Sequence, residues 1–320
     1  MRATAIAQPN IALIKYWGKR DTGRNLPAVG SISITLRELY TRMCVEFDAD
    51  AAADSLQVNG ASDETMLPRL SACLDRVAGS ERLRARITSE SNFPIAAGLA
   101  SSASAFAALT VAGAEAACRD LPTATLASLA GQASGSAARS LLGGFVELEN
   151  RGEDIAVSTL CASPEWPLDV VVAITETGPK AVGSTEAMEI SRRTSPFYES
   201  WVAQQPHDLD IARDAIARRD FGRLAAIAER NCLKMHSIMW ASRPPLVYWN
   251  AATMRCLQTV RKLQGGGIDV FFTIDAGPQV KAVCLPEHTE AVAAALRETP
   301  GVVGIMISGL GSGARLESVR

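Results

Sequence analysis

The chain has 320 residues, of which 48% are hydrophobic and 21% are charged, with a formal net charge of −2 at pH 7. That length accommodates two domains, because one domain usually takes roughly 100 to 200 residues. The balanced charge leaves no basic surface for nucleic acid, and no run approaches the ~20 apolar residues that a membrane span requires, so we expect neither partner.

The cysteines and histidines exclude further classes of protein. The seven cysteines lie far apart and form no C-x-x-C pair, which argues against a disulfide framework and against a zinc site. The three histidines offer no metal cluster, and His236 is expected to be a surface or hydrogen-bonded helix residue. Reduced thiols and the early charged residues Lys15 and Lys19 favour a cytoplasmic protein.

The first half of the chain begins with strand patterns. Residues 5–17 alternate as a strand that places Lys15 among apolar neighbours, where its ammonium either reaches the surface or meets an anion. Strands at 31–36 and 40–47 continue this start as a predicted β-meander. The remaining elements predicted in this half are helices at 65–79, 101–117 and 123–133 and strands at 83–88 and 145–149.

A serine-rich loop precedes the second of these helices. Ser101, Ser102 and Ser104 lie near the predicted helix N-terminus, where unpaired amides and the helix dipole favour an anion such as phosphate. The loop lacks the lysine of a Walker motif, so a nucleotide would be held by backbone amides and serines. Composition alone equally allows a buried Ala/Ser helix that follows a Pro-Gly loop.

A short segment after the third helix carries Arg139. Ser136 is predicted to cap a new turn there, which would place Arg139 at its third position, over the exposed amides. Because its neighbours have small side chains, Arg139 is interpreted either as a surface ion pair or as an anion clamp.

The second half starts with the most continuously apolar strand, at 168–175, and we place the domain boundary just before it, giving domains 1–167 and 168–320. Asp275 follows a later strand in a tight D-A-G-P turn, where it is either a turn-former or a catalytic carboxylate. The order of elements favours an antiparallel sheet with helices on one side. One predicted helix begins at 183, and the others span 208–239, 244–263 and 287–297. The predicted strands span 268–274, 279–285 and 302–307. Gly309, Gly311 and Gly313 are expected to form a flexible loop.

Sequence blocks at 10–20, 93–105, 134–145, 194–201 and 274–281 resemble the mevalonate diphosphate decarboxylase family of the GHMP kinase superfamily, in the family's order and over nearly the full length. The resemblance implies an α+β, GHMP kinase-like fold of two domains. The N-terminal domain would be ribosomal-protein-like β/α, and the C-terminal domain a ferredoxin-like antiparallel sheet with helices on one face. It also implies a cleft between the halves and a homodimer.

The activity that the resemblance implies is ATP-dependent decarboxylation of (R)-5-diphosphomevalonate to isopentenyl diphosphate, with release of ADP, phosphate and CO2. By match to the family motifs, Asp275 is the catalytic aspartate, Arg139 orients the substrate carboxylate and Lys15 is the catalytic-site lysine. The residues matched to substrate binding are Tyr16, Lys19, Ser134, Ser136 and Thr185. The residues matched to ATP binding are Ser91, Asn92, Gly98, Leu99, Ala100, Ser101, Ser102 and Ser104. Mg2+ is expected because polyphosphate charge needs neutralising, with Ser102 as the candidate protein ligand.

These roles also agree with the chemistry. A tertiary hydroxyl becomes a leaving group when ATP phosphorylates it, and a carboxylate such as Asp275 accepts or orients its proton. Lys15 would keep that carboxylate ionised, while a bidentate Arg139 would align the substrate carboxylate with the breaking bond.

Three positions depart from the family pattern. Gly30 stands where asparagine, serine or threonine is usual, Thr185 where many bacterial members have arginine, and Ala138 where cysteine is frequent. The alternatives are therefore a phosphomevalonate decarboxylase or a mevalonate kinase-like enzyme. A non-catalytic nucleotide-binding sensor is a third alternative, which the combined presence of Lys15, Arg139 and Asp275 disfavours.

Overall fold

The structure, a computed structural model, describes residues 1–93, 101–178 and 181–317. The strands of these residues are β1 Arg2–Ala7, β2 Asn10–Ile14, β3 Lys19–Asp21, β4 Leu26–Pro27, β5 Ser31–Thr35, β6 Thr41–Asp48, β7 Ser55–Val58, β8 Ala61–Ser62, β9 Arg84–Ser91, β10 Phe145–Arg151, β11 Asp154–Cys161, β12 Asp169–Ile174, β13 Val270–Thr273, β14 Val280–Cys284, β15 Gly304–Gly309 and β16 Arg315–Leu316.

The helices are α1 Leu67–Ala78, α2 Ser101–Ala116, α3 Thr123–Ala133, α4 Ser184–Thr194, α5 Tyr198–Arg218, α6 Phe221–Trp240, α7 Ala251–Gly265 and α8 Thr289–Arg297, with short 3-10 helices at Ala137–Leu141 and Pro286–His288. Local sequence explains several of their ends. Pro68 is tolerated because it lies in the first turn of α1, and α7 begins with a capping box between Asn250 and Thr253. Arg219 ends α5 in a left-handed conformation (φ 55°).

A six-stranded sheet, in the order β16-β1-β6-β9-β7-β8, carries the first core. In β9 the side chains alternate, with Ala85 and Ile87 buried and Arg84 and Arg86 exposed, as expected for a strand with one face on the core. Helix α2 is buried around most of its circumference and packs on this sheet, which explains its apolar, alanine-rich sequence.

Two four-stranded sheets, β11-β10-β5-β2 and β13-β14-β12-β15, form the rest of the framework. The second is antiparallel throughout, and both of its faces are covered. Val170 and Val172 of β12 pack in a cluster with β2, β5 and α5, whereas Val171 and Ala173 pack with α7 and α8. Because successive side chains of a strand point to opposite faces, side chains on either face of this sheet are shielded from solvent.

Several sequence-based expectations were wrong about how elements connect. Residues 5–17 form β1 and β2 in different sheets, because Pro9 interrupts the ladder, so the start of the chain is not a β-meander. The helix predicted at 208–239 is two helices, because the chain turns at Arg219 and Asp220. Strand β11 was missed, and the helix predicted at 244–263 begins only at Ala251.

Two local expectations near the site also differ. Ser136 precedes the 3-10 helix but makes no side-chain capping bond. The glycines near the C-terminus are not a flexible loop. Gly309 ends β15, and the Gly311 amide donates to the Thr35 carbonyl at 2.7 Å while its own carbonyl accepts from Gly144 at 2.9 Å. A side chain at Gly311 would clash with Gln8, so close backbone packing explains this glycine.

The predicted α+β class is confirmed, and the antiparallel second sheet agrees with the expected ferredoxin-like arrangement. The last strand, β16, returns to the first sheet and pairs antiparallel with β1, with Ala5 opposite Leu316. Among the described residues, no helix combines the length and apolar character needed to span a membrane.

Candidate active site

One cavity of about 640 Å3 is lined by residues from both halves of the chain. Its walls include the end of β2, the 3-10 helix that holds Arg139, the start of α2 and the turn after β13. The predicted site residues that line this cavity are Lys15, Tyr16, Lys19, Ser91, Ser101, Ser102, Ser134, Ser136, Arg139, Thr185 and Asp275. Tertiary folding thus brings together most residues that the sequence motifs had selected.

Lys15 and Asp275 form the centre of the cavity wall, although 260 residues separate them in sequence. The Lys15 Nζ donates to Asp275 Oδ1 at 2.7 Å, and the Lys15 side chain is only 1% exposed. A second lysine, Lys281, lies 3.3 Å from Asp275 Oδ2. The ammonium of Lys15 therefore meets an anion instead of reaching the surface, which decides the alternative left open by the sequence.

These charges determine the protonation of the Asp275 carboxyl. Burial by itself would raise its pKa, but the ammonium groups of Lys15 and Lys281 outweigh burial and hold the pKa well below its usual range. Asp275 is consequently an anion at any physiological pH. It is a stable orienting carboxylate that accepts hydrogen bonds and attracts protons only weakly.

The backbone of Lys15 is held in place by side chains from helices α5 and α6. The Lys15 amide donates to Asn231 Oδ1 at 2.8 Å, and Gln205 Nε2 donates to the Lys15 carbonyl at 2.6 Å. Asn231 also donates to Gln205 and to Asp208, and Lys234 pairs with Asp208 at 2.7 Å. This buried network fixes the point where the chain leaves β2 for the cavity.

The turn that presents Asp275 is held by the capping residues of α7 and by the end of β12. The Pro278 carbonyl accepts hydrogen bonds from Thr253 Oγ1 at 2.7 Å and from Thr175 Oγ1 at 3.0 Å. Gln279 Oε1 accepts from the Thr175 amide at 2.6 Å. The D-A-G-P turn is therefore rigid, which is required of a carboxylate that must hold one position.

His236 packs directly behind this turn. It is buried, its Nε2 lies 3.2 Å from the Ile274 carbonyl, and Trp249 Nε1 donates to the same nitrogen at 3.2 Å. Burial lowers the pKa of His236 to about 3, so the ring is neutral at physiological pH. The expectation of a hydrogen-bonded helix histidine is confirmed.

Arg139, in the 3-10 helix Ala137–Leu141, also lines the cavity. It is 2% exposed, and its guanidinium donates to Ser33 Oγ at 3.0 Å, to Ser31 Oγ and to Asn10 Oδ1 at 3.2 Å. Burial lowers its pKa to about 10 against the attraction of the Asp275 carboxylate, so the guanidinium remains protonated at neutral pH. These neutral partners orient the fork without neutralising it, which supports the clamp over the surface ion pair.

Of the three serines predicted to bind phosphate at the start of α2, two line the cavity and one does not. Ser101 and Ser102 line the cavity, and Ser134 Oγ donates to Ser102 Oγ at 3.3 Å. Ser104 is buried behind them, where its hydroxyl pairs with Thr41 at 2.8 Å, so the structure does not bring it to the cavity wall. Helical periodicity turns Ser104 toward the core.

The other residues assigned to ATP lie in different places. Ser91 lines the cavity and pairs with Thr41 at 2.9 Å, whereas Asn92 holds the β5–β6 connection through the Tyr40 amide. The predicted ATP contacts at Gly98, Leu99 and Ala100 lie outside the described residues.

The predicted substrate-diphosphate residues form the polar mouth of the cavity. Lys19 Nζ lies 3.4 Å from Thr185 Oγ1, and burial together with the charge of Arg69 lowers the Lys19 pKa. The Tyr16 ring packs so closely on Gly135 that a side chain at Gly135 would overlap it. The buried Tyr16 hydroxyl has no hydrogen-bond partner among the described residues, and burial raises its pKa above 10.

Sequence reasoning missed the apolar end of the cavity. This wall consists of side chains from β6, β7 and α1, namely Met43, Leu56, Val58, Met66 and Leu70. Arg69 joins it, stacked 5.0 Å from the centroid of the Phe106 ring and bonded to the Ala133 carbonyl at 3.2 Å. The amphipathic pattern identified α1 but could not distinguish a core-facing methionine from one that lines a cavity.

The departure at Gly30 has a packing explanation. A Cβ at this position would lie 2.9 Å from Leu209 Cδ1 and 3.0 Å from the Leu148 carbonyl oxygen, and the Gly30 carbonyl accepts from Gln205 at 3.2 Å. A side chain at Gly30 would therefore require Leu209 of α5 to move, and Arg139 is held by the neighbouring hydroxyls of Ser31 and Ser33.

The lining of the cavity suits an anion that also carries an apolar group. It combines apolar side chains such as Met66 and Leu70 with serine hydroxyls and with the cationic groups of Lys15 and Arg139. Among the described residues, no group of three or more histidine, cysteine, aspartate or glutamate side chains could hold a metal. Serine hydroxyls are nevertheless acceptable oxygen ligands for a Mg2+ ion that phosphate oxygens mainly coordinate.

Comparison with known families matches both halves of the chain. Residues 7–159 match the diphosphomevalonate decarboxylase-like N-terminal domain, and residues 170–303 match the mevalonate 5-diphosphate decarboxylase C-terminal domain. The diphosphomevalonate decarboxylase of Aspergillus fumigatus is 34% identical over 330 residues, which cover 94% of this chain and 81% of that relative. The human diphosphomevalonate decarboxylase is 32% identical, with 92% and 79% covered.

Solved structures agree with these relatives. Mevalonate diphosphate decarboxylase from Staphylococcus aureus has a TM-score of 0.93 at 34% identity and covers 99% of this chain and 98% of its own. MDDEF in complex with MVAPP, AMPPCP and magnesium has a TM-score of 0.92 at 33% identity and covers 100% and 99%. The two-domain GHMP kinase-like fold expected from the sequence is confirmed by these neighbours, and the chain belongs to the diphosphomevalonate decarboxylase family.

Proposed function

We propose that this chain catalyses the ATP-dependent decarboxylation of (R)-5-diphosphomevalonate to isopentenyl diphosphate, with release of ADP, phosphate and CO2. The observation that carries this proposal is the arrangement of Lys15, Asp275 and Arg139 at the cationic end of the cavity, with the serine hydroxyls beside it. The relatives named diphosphomevalonate decarboxylase and the neighbour that binds MVAPP, AMPPCP and magnesium support the same reaction.

Asp275 and Lys15 act in the first part of the reaction. The Asp275 carboxylate accepts a hydrogen bond from the tertiary hydroxyl and orients its oxygen for attack on the γ-phosphorus of ATP. The Lys15 ammonium, already 2.7 Å from that carboxylate, stabilises the negative charge that develops on the attacking oxygen. As the bond from this oxygen to the γ-phosphorus forms, the bond between the γ-phosphorus and the ADP oxygen breaks, ADP departs and the hydroxyl proton passes to an oxygen of the transferred phosphoryl group. The resulting phosphate ester makes the former hydroxyl a leaving group.

Arg139 acts in the second part of the reaction. As phosphate departs, electrons of the C–COO⁻ bond move toward the third carbon, the alkene forms and CO2 is released. The Arg139 fork, held by Ser31, Ser33 and Asn10, positions the carboxylate so that the breaking bond aligns with the emptying orbital. Because its protein partners are neutral, its charge remains available to the substrate.

The remaining residues hold the phosphates. Tyr16, Lys19, Ser134, Ser136 and Thr185 surround the diphosphate of the substrate. The ATP phosphates lie at Ser101 and Ser102, at the positive end of α2, and the adenine occupies the apolar end around Met66 and Leu70. The Ser102 hydroxyl would supply the protein ligand to a bound Mg2+, which would neutralise phosphate charge.

The reaction is tested by supplying purified protein with ATP and Mg2+ and with mevalonate, 5-phosphomevalonate or 5-diphosphomevalonate in parallel. We expect ADP and CO2 in equal amounts from the diphosphate alone. CO2 from the monophosphate would reassign the substrate, and ADP without CO2 would make the protein a kinase. ATP binding without turnover of any substrate would support the non-catalytic sensor.

Ser102→Ala should raise the KM for ATP about tenfold, because one hydrogen bond to a charged phosphate is worth roughly 1.5 kcal/mol. Steady-state kinetics at saturating diphosphomevalonate measure this change. Ser80→Ala is the matched control, since Ser80 is exposed in the turn after α1. An unchanged KM for ATP in Ser102→Ala would contradict the assignment of the α2 N-terminus to the ATP phosphates.

The assembly and location of the protein are part of the same proposal. We assign residues 1–167 and 168–320 to its domains, with Asp275 supplied by the second, and we expect a homodimer in the cytoplasm. The described cysteines are all unpaired thiols, which agrees with a reducing compartment. Sedimentation equilibrium of the purified chain would measure the oligomeric state.

A further inference from the structure

Lys281 is a buried lysine at the end of the 274–281 block, and neither the predicted site residues nor the proposed reaction includes it. It is the second residue of β14, with Thr273 of β13 on one side and Val172 of β12 on the other. Its side chain is 0% exposed, on the sheet face that packs toward β2 and β5. A lysine ammonium is unusual in such an interface, because its burial removes the water that solvates the charge. An apolar side chain could be buried there without that cost.

The position of its ammonium relative to Asp275 suggests why a lysine is there. Lys15 contacts Oδ1 at 2.7 Å and lines the cavity, whereas Lys281 contacts Oδ2 at 3.3 Å and does not contribute to the cavity wall. The substrate can therefore approach Lys15 and the exposed part of Asp275, which is 27% exposed, but not Lys281. The two lysines therefore contact different oxygens of the same carboxylate.

We propose that Lys281 is a positioning residue that acts through Asp275. It holds Oδ2 from behind, so the carboxylate stays ionised and keeps one orientation while Lys15 turns its charge toward the reacting oxygen. This inference rests on the proposed decarboxylation, because it assigns Lys281 a part in the same site.

The other groups around the carboxylate do not duplicate this effect. Arg139 is attracted by the charge of Asp275, but its guanidinium donates to the neutral partners Ser33 and Asn10. Tyr16 is neutral because burial raises its pKa. On α6, burial raises the pKa of the Cys232 thiol and lowers that of His236, so both are neutral at pH 7. Within residues 1–93, 101–178 and 181–317, Lys281 is thus the second cation in contact with Asp275, and it stays there when substrate draws the charge of Lys15 away.

The test is the pH profile of kcat in Lys281→Met, which keeps the length and apolar stem of the side chain. Removing a cation raises the pKa of the Asp275 carboxyl, so the acidic limb of the profile should move to higher pH, by roughly 1 to 3 units. The KM for ATP should not change, because the serine wall is untouched. Lys262→Met is the matched control, since Lys262 is exposed on α7.

Two results would overturn the inference. One is an acidic limb that coincides with that of the unmodified protein; the other is an equal loss of kcat at every pH, accompanied by a lower Tm, which indicates a structural role only. A carbon-13 NMR titration of the Asp275 carboxyl, identified by its loss in Asp275→Asn, measures the same pKa without turnover. If the unmodified protein does not decarboxylate, the proposed function fails, while this titration still decides whether Lys281 controls Asp275.

Discussion

Asp275→Asn is expected to reduce kcat by at least about 1,000-fold at pH 7 while the affinity for ATP changes little. A neutral amide cannot replace the anionic carboxylate that orients the hydroxyl and attracts the charge of Lys15, and side chains that act on a reacting proton typically contribute 100-fold to 10,000-fold. The serine hydroxyls that we assign to ATP, Ser101 and Ser102, are unaffected, because they belong to α2 and not to the turn that carries Asp275. Single-turnover ADP and CO2 formation, with calorimetric titration of ATP, separates the two effects.

The same substitution should lower stability, and this must be separated from the chemical effect. Asparagine leaves the buried ammonium groups of Lys15 and Lys281 without a counter-charge, and breaking a buried pair typically costs about 3 to 5 kcal/mol. Asp275→Glu keeps the charge but displaces the carboxylate, so it should lose kcat with a smaller change in Tm. Asp269→Asn, just before the same strand β13, is an exposed control that should behave like the unmodified protein.

Equal losses of turnover and of ATP affinity in folded Asp275→Asn would contradict the assignment. That pattern would mean that the carboxylate organises the nucleotide and not the tertiary hydroxyl. Retention of more than a tenth of the kcat would exclude Asp275 from the chemical step altogether.

Arg139→Gln should lower kcat about 100-fold or more, because displacement of a reacting group by about 1 Å costs on that order. Glutamine keeps a polar side chain for Ser31, Ser33 and Asn10 but offers no bidentate cationic fork. The loss should fall on decarboxylation more than on phosphoryl transfer. Rapid-quench measurement of ADP and CO2 would then show ADP formed ahead of CO2.

Arg37→Gln is the control for this prediction, since Arg37 is 64% exposed and pairs with Glu38 at the surface. Arg139→Lys should not restore full activity, because a lysine supplies the charge without the planar fork. ADP and CO2 that decline together in Arg139→Gln, with no lag between them, would indicate that Arg139 binds substrate but does not align the carboxylate.

Local sequence patterns were sufficient for several elements. The helix predicted at 123–133 has these bounds in the structure, and α1 was predicted from its apolar spacing with Pro68 in the first turn. These signals are reliable because helix periodicity and capping depend on residues within one or two turns. The same patterns placed Ser101 and Ser102 at a helix N-terminus, which the structure confirms.

The motifs also identified the residues of the site but not their contacts. Lys15 was found on an apolar strand face and Asp275 in a tight turn, and only the family resemblance connected them. Their 2.7 Å contact depends on how β2 packs against the sheet that holds β13, across 260 residues of sequence. Lys281 was not selected, because a lysine in a strand pattern gives no sign of what faces it.

The amino-acid sequence by itself therefore determined the local structure, the family and most of the side chains that line the cavity, since each depends on neighbouring residues or short motifs. Only the tertiary structure decided that Pro9 sends β1 and β2 into different sheets, that Ser104 faces the core and that both lysines meet one carboxylate. The physical reason is that burial and charge pairing arise from contacts between distant segments. Those contacts form only when the sheets pack together.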